Sequence, residues 1–196
     1  MRLIGSAKSH FTRKVRLLFD HLEHPYELVD VGNVAEQNPD IFAGNPLMSV
    51  PVLVDNQSKI FGSDHIAAFI VRQLYPIDVY AVNSTDPNVL NARALLNGAM
   101  QAEVKLVLSE RTGLDTTGRA YFEKARAILR NVLDWCEANV RLFDTDQISY
   151  LQFHLISFWD HAHHYRLVAG NWPRLNTLIA EMSLSQLVAK SSPTEG

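Results

Sequence analysis

Cysteine is almost missing from this chain: Cys136 is the single one in 196 residues. One thiol excludes an internal disulfide and every metal site built from several cysteines, and it suits a reducing compartment. Long apolar runs are missing too, and none approaches the roughly 18 residues that a membrane span requires. The opening Met1-Arg2-Leu3-Ile4-Gly5-Ser6 carries no signal-like apolar stretch, so a cytoplasmic location with no membrane partner is expected. An excess of charge is also lacking. Eighteen Lys and Arg face 21 Asp and Glu for a net charge of −3, and the basic residues are scattered. No nucleic-acid partner is expected from such a balance. What is present is hydrophobic content of 47%, enough to bury a core without covalent staples in one large domain or two small ones.

The two parts of the chain read differently. In the first, Arg2 to Ser6 is a short strand, Phe11, Val15, Leu18, Phe19 and Leu22 recur at helical spacing, and Tyr26 to Val31 is a second strand. Gly32 to Asn45 reads as loop with one helical turn around Pro39 to Ala43. Val52 to Val54 and Lys59 to Phe61 bracket the turn-forming Asp55-Asn56-Gln57-Ser58, and Ile66, Ala67, Phe69, Ile70 and Leu74 stripe a helix that stops near Tyr75-Pro76. Ile77 to Pro87 is polar and aperiodic, as a linker is.

Beyond it only helices are expected. Val89 to Glu110 and Ala120 to Val140 form two long ones, with Gly113 to Gly118 between them. Asp144, with Gln147 three residues on, reads as a capping box for a very apolar helix over Ile148 to Val168. Gly170 is its stop, Pro173 opens a last helix through Met182, and a loose polar tail follows. The expected domains are residues 1–76, a linker at 77–87 and an all-helical part at 88–196.

The stretch richest in chemistry is Asn45-Pro46-Leu47-Met48-Ser49-Val50-Pro51-Val52, followed by Phe61-Gly62-Ser63-Asp64-His65-Ile66. Proline has no N–H and X-Pro bonds reach the cis form cheaply, so Val50-Pro51 can direct backbone groups at a peptide ligand instead of a neighbouring strand. Ser63, read as the cap of the following helix, can offer an anion its hydroxyl and the free N–H groups of the helix end. The combination suits a small acidic peptide.

Together these motifs resemble the glutathione transferase superfamily over the whole chain. Asn45-Pro46 ahead of Val50-Pro51-Val52-Leu53 is similar to the segment around that family's cis-proline, and Ser63-Asp64-His65-Ile66-Ala67 to its glutamyl-binding turn. Asp144 to Ile148 resembles its buried capping box, and Trp172-Pro173-Arg174-Leu175 with Ser192-Pro193 its closing pattern. Ser6 to Lys14 is most similar to bacterial members of the serine type, with Ser-x-Phe-x-Arg-Lys at Ser9 to Lys14.

The resemblance implies a thioredoxin-like βαβ-ββα N-terminal domain followed by a helical bundle. It implies a homodimer, glutathione as co-substrate with no other cofactor, and an electrophilic, apolar small molecule as second substrate. Ser9 would be the catalytic residue, donating its hydroxyl to the glutathione sulfur. Val50, Pro51, Ser63 and Asp64 would bind the tripeptide, Glu103 would reach across the dimer to it, and His10 and Phe11 would face the cleft. The chemistry needs a thiolate, and a free thiol has a pKa of about 8.5. A hydroxyl donor at a helix N-terminus lowers it, each unit being worth about 1.4 kcal/mol of preference for the anion.

One departure stands out: Gly62 occupies the place of the family's acidic residue, which helps to hold the glutamyl ammonium. That departure favours the alternative function, a non-catalytic binding or regulatory protein of the stringent starvation protein A type. Thiol-disulfide chemistry would want a cysteine at Ser9. His154, His161, His163 and His164 cluster on one helix, but their spacing matches no metal motif and no metal is expected. They are read as lining a cleft or hydrogen-bonding within the bundle, and Cys136 as a packing thiol.

Overall fold

In the computed structural model, which describes residues 1–75 and 77–193, the chain divides into two compact units. One comprises Met1–Asn83 with Gln186–Gly196, the other Ser84–Ser185. No helix among the described residues is long and apolar enough to cross a membrane.

The N-terminal unit is a four-stranded mixed sheet in the order β2-β1-β3-β4. β1 (Arg2–Gly5) leads into α1 (His10–His21), and β2 (Glu27–Asp30) returns parallel to β1 with Arg2 opposite Glu27. After a 3-10 turn at Pro39–Phe42 come β3 (Val52–Asp55), antiparallel to β1, and β4 (Ser58–Phe61), antiparallel to β3. The hairpin between them closes at Asp55 and Ser58 with Asn56 at φ 51°, in the left-handed region that asparagine tolerates. α2 (Ser63–Leu74) completes the thioredoxin-like arrangement. Leu3, Val15, Phe19, Leu53, Ile66 and Ile70 form its fully buried core, the apolar stripes of α1 and α2 meeting the strands. Pro76, half of the expected stop of α2, lies outside the described residues.

The tail expected to be loose is built into this unit. α7 (Gln186–Lys190) packs on α1, and the buried Arg13 guanidinium donates to Ser191 Oγ and the Val188 carbonyl, each at 3.1 Å. Nothing in the polar composition of the segment announced a buried arginine as its anchor.

The second unit contains α3 (Pro87–Arg111), α4 (Ala120–Ala138), α5 (Tyr150–His164) and α6 (Pro173–Ser183). α3 packs against both α4 and α5, and α4 against α6. Asp86 caps α3 by accepting the Asn88 amide, and Pro87 sits in the first turn, where its missing N–H costs nothing. α5 is buried nearly all round, as its apolar composition requires.

Two expected boundaries of α5 are corrected. The capping box is made by Ser149 and Gln152, not by Asp144 and Gln147: Ser149 Oγ accepts the Gln152 amide and Gln152 Oε1 accepts the Ser149 amide. Asp144 instead closes the turn after a short 3-10 segment, its amide bonded to the Val140 carbonyl. At the other end Gly170 is not the stop. Arg166 takes the left-handed conformation at φ 54°, and the Leu167 amide returns to the Ala162 carbonyl at 2.8 Å, a Schellman-type closure. Gly170 is needed for close approach, since a side chain there would run into the Trp172 ring. The start of α6 is held from α4: Glu137 accepts the Arg174 and Leu175 amides, and Trp172 donates to Asp134.

Candidate active site

Sheet register brings three of the sequence-predicted groups to one end of the N-terminal sheet. Ile4 pairs with Val52 and Val52 with Phe61, so the chain leaving β1, the chain entering β3 and the chain leaving β4 all lie beyond the same edge. These segments carry Ser9, Val50-Pro51 and Ser63. Such crevices beyond strand ends, flanked by helix N-termini, are the usual ligand sites of α/β sheets.

Ser9 is the N-cap of α1, its Oγ accepting the Thr12 amide at 3.2 Å. That bond occupies a lone pair and leaves the hydroxyl proton to donate. The loop in front of it is tightly held. The Ser9 amide bonds the Ser6 carbonyl, the Ser6 amide reaches Thr12 Oγ1, and the Ala7 amide donates to Asp30 Oδ2 at 3.1 Å. Gly5 is required by the closeness of Thr12, whose methyl would clash with any Cβ. Asp30 and Thr12 are positioning residues that the sequence reading missed. An acid at the end of a strand beside a loop is too common a pattern to single out.

The Val50-Pro51 bond is cis. Pro51 spends its carbonyl on the Gly62 amide at 3.3 Å, while among the described residues no backbone hydrogen bond engages Val50. Val50, rather than Pro51, is therefore the residue whose amide and carbonyl are available.

Ser63 is corrected from cap to first helical residue. Gly62, at φ 84° and ψ 133°, is the N-cap and supplies no side-chain bond, because that backbone conformation belongs to glycine. Ser63 is buried in the first turn. Asp64 lies beside it with Oδ1 at 2.8 Å from Lys14 Nζ, so this carboxylate, expected to bind the tripeptide, is already engaged.

His10 is buried at the start of α1 and lies tilted against Phe11, ring centres 4.7 Å apart. Phe11 is half-buried, with the Lys14 ammonium 5.4 Å from its centroid. Glu103 does not point outward toward a partner chain, as its expected role required. It is wholly buried on α3, with Oε2 3.3 Å from His161 Nδ1 on α5. Burial pushes its carboxyl well above the usual range and holds the His161 imidazole down at about 3, so the charged form of each is disfavoured.

The other helix histidines turn to local partners. His154 Nδ1 approaches the Tyr150 carbonyl and His163 Nδ1 the Trp159 carbonyl, His163 also stacking on Trp159. His164 meets the Tyr165 ring edge-on. Cys136 is a buried packing thiol whose pKa burial raises to about 12.

Residues 3–76 match the family model described as glutathione S-transferase, N-terminal domain. That match covers the N-terminal part of the chain. Similar solved structures share its fold from end to end at low identity. A glutathione S-transferase from Methylobacillus flagellatus, solved with glutathione bound, is 19% identical with a TM-score of 0.82, over 98% of each chain. A glutathione S-transferase from Methylobacterium radiotolerans, in complex with glutathione sulfonate, is 21% identical with a TM-score of 0.77, over 98% of this chain and 94% of that one. A maleylacetoacetate isomerase from Methylobacterium extorquens, with malonate and glutathione bound, is 21% identical with a TM-score of 0.71, over 100% and 98%. No curated protein matches the chain in sequence.

Proposed function

We propose that this chain is a member of the glutathione S-transferase superfamily and a glutathione-dependent transferase, whose N-terminal unit binds the tripeptide and ionises its thiol. The observation that carries the reading is the register that sets Ser9, Val50 and Ser63 beyond one edge of one sheet. The glutathione bound to two similar folds supports the choice of ligand.

In this reading Val50 pairs its backbone amide and carbonyl with the cysteinyl residue as a strand would. Ser63 and the first-turn N–H groups of α2 receive the glutamyl carboxylate. The Ser9 hydroxyl donates to sulfur, and the positive end of α1 adds to the stabilisation of the thiolate. The sulfur then attacks an electrophilic carbon. A C–S bond forms, and a leaving group departs with its electron pair or, in an addition, the adjacent carbon takes a proton. Glutathione is the co-substrate and no further cofactor is invoked; a homodimer is the expected assembly and an apolar electrophile the expected partner.

Gly62 and the paired Asp64 favour a second reading, a regulatory scaffold that has lost the tripeptide. Titration calorimetry with glutathione separates the two. Binding in the micromolar to millimolar range, with Ser9→Ala lowering the turnover of a model electrophile by about tenfold to a hundredfold, supports the transferase. An absence of heat at millimolar glutathione supports the scaffold.

A further inference from the structure

The first turn of α2 carries one carboxylate, and a buried cation already holds it. Lys14 Nζ lies 2.8 Å from Asp64 Oδ1, the lysine side chain wholly buried and the aspartate 28% exposed. The same ammonium faces the Phe11 ring, whose π-face favours a cation. An ammonium withdrawn from water loses several kcal/mol of hydration, and the Asp64 carboxylate held against it offsets that loss. Position 62 adds no side chain, and its backbone conformation resists one. His65, next in the turn, leans back with Nδ1 on the Phe61 carbonyl at 3.1 Å. The turn therefore presents the Ser63 hydroxyl and helix N–H groups, while its one negative charge is cancelled by one positive charge.

An α-amino acid end has a carboxylate and an ammonium side by side, and on the functional reading above this turn receives such an end. We propose that Lys14 is the specificity-determining residue of the turn: by neutralising Asp64 it makes the site read the carboxylate and ignore the neighbouring ammonium. The ligand class is then γ-linked tripeptide thiols with or without the α-amino group. An aspartate whose charge is matched inside the protein has little left for a ligand ammonium, whereas the carboxylate partners are an O–H and backbone N–H groups, which carry no net charge for the pair to cancel.

Calorimetry on the full chain, with glutathione and with glutaryl-cysteinylglycine, its analogue lacking the amino group, tests this. The wild type is expected to bind the two within about threefold of each other. Lys14→Met fills the buried space without charge and releases Asp64, and is expected to favour glutathione by about tenfold or more. Asp64→Asn is expected to keep the wild-type ratio, because the paired carboxylate contributes nothing to it. A wild-type preference for glutathione of about tenfold, an unchanged ratio in a folded Lys14→Met chain, or a falling ratio in Asp64→Asn overturns the inference while leaving the functional reading intact. Failure of both peptides to bind at millimolar concentration overturns the functional reading and the inference together.

Discussion

The two units bury ionisable groups in opposite ways. In the N-terminal unit a buried cation meets an opposite charge: Lys14 Nζ lies 2.8 Å from Asp64 Oδ1. In the helical unit Glu103 and His161 face each other at 3.3 Å with burial driving both toward neutrality. Two buried groups can avoid the cost of an isolated charge either by pairing opposite charges or by shedding them. The first solution gives a fixed electrostatic fixture that breaks when one partner is removed. The second gives a pair sensitive to pH and tolerant of neutral replacement.

The sharpest way to break that contrast is Asp64→Ala, which leaves the Lys14 ammonium buried without its carboxylate. A loss of about 3 kcal/mol is expected in urea unfolding at neutral pH. Glu103→Gln should cost less than about 1 kcal/mol at pH 4, where the raised carboxyl carries its proton and an amide replaces an uncharged group. A loss as large as that of Asp64→Ala would mean that Glu103 is ionised and the two units do not differ.

The pH dependence sharpens the same point. Glu103 binds its proton more tightly folded than unfolded, so its stabilisation is complete below about 4.5 and is lost as pH rises toward the raised folded value. His161 is held to about 3 against 6.5 unfolded, so its contribution is complete above 6.5 and is lost as pH falls. The two slopes oppose each other between 4.5 and 6.5. Above 6.5 the imidazole contributes no further slope, its ring being neutral in both states. A thermal melting series should therefore show Glu103→Gln declining less than the wild type as pH rises from 4.5, with the limb below 4.5 unchanged.

The smallest effects concern helix starts. Ser149→Ala should cost about 1 kcal/mol through loss of the α5 cap, and Asp144→Ala less than about 0.5 kcal/mol, both read from urea midpoints. Equal losses would restore the cap to where the sequence motif placed it.

Periodicity was a good guide wherever a residue's role is local. The strands, the stripe of α1, the hairpin at Asp55 to Ser58 and the apolar α5 were all legible, because alternation and helical spacing record which face is buried. Caps were less legible. Asp144-Thr145-Asp146-Gln147 and Ser149-Tyr150-Leu151-Gln152 both fit a capping box, and only the path of the preceding turn chooses between them. Ser63 looked like a cap for the same reason, while Gly62 holds that place by virtue of a positive φ that composition does not reveal.

Chain order and residue type by themselves determined a Ser-started α1, a Val-Pro entry to β3 and a Ser-Asp start to α2, since each depends on neighbours within a few positions. Tertiary structure alone decided that Asp64 is spent on Lys14, that Arg13 anchors the tail segment, and that Glu103 turns inward to His161. Those partners lie 50, 178 and 58 positions apart along the chain. A charge finds its counterpart through space, and the sequence lists the charges without the distances that decide which of them cancel.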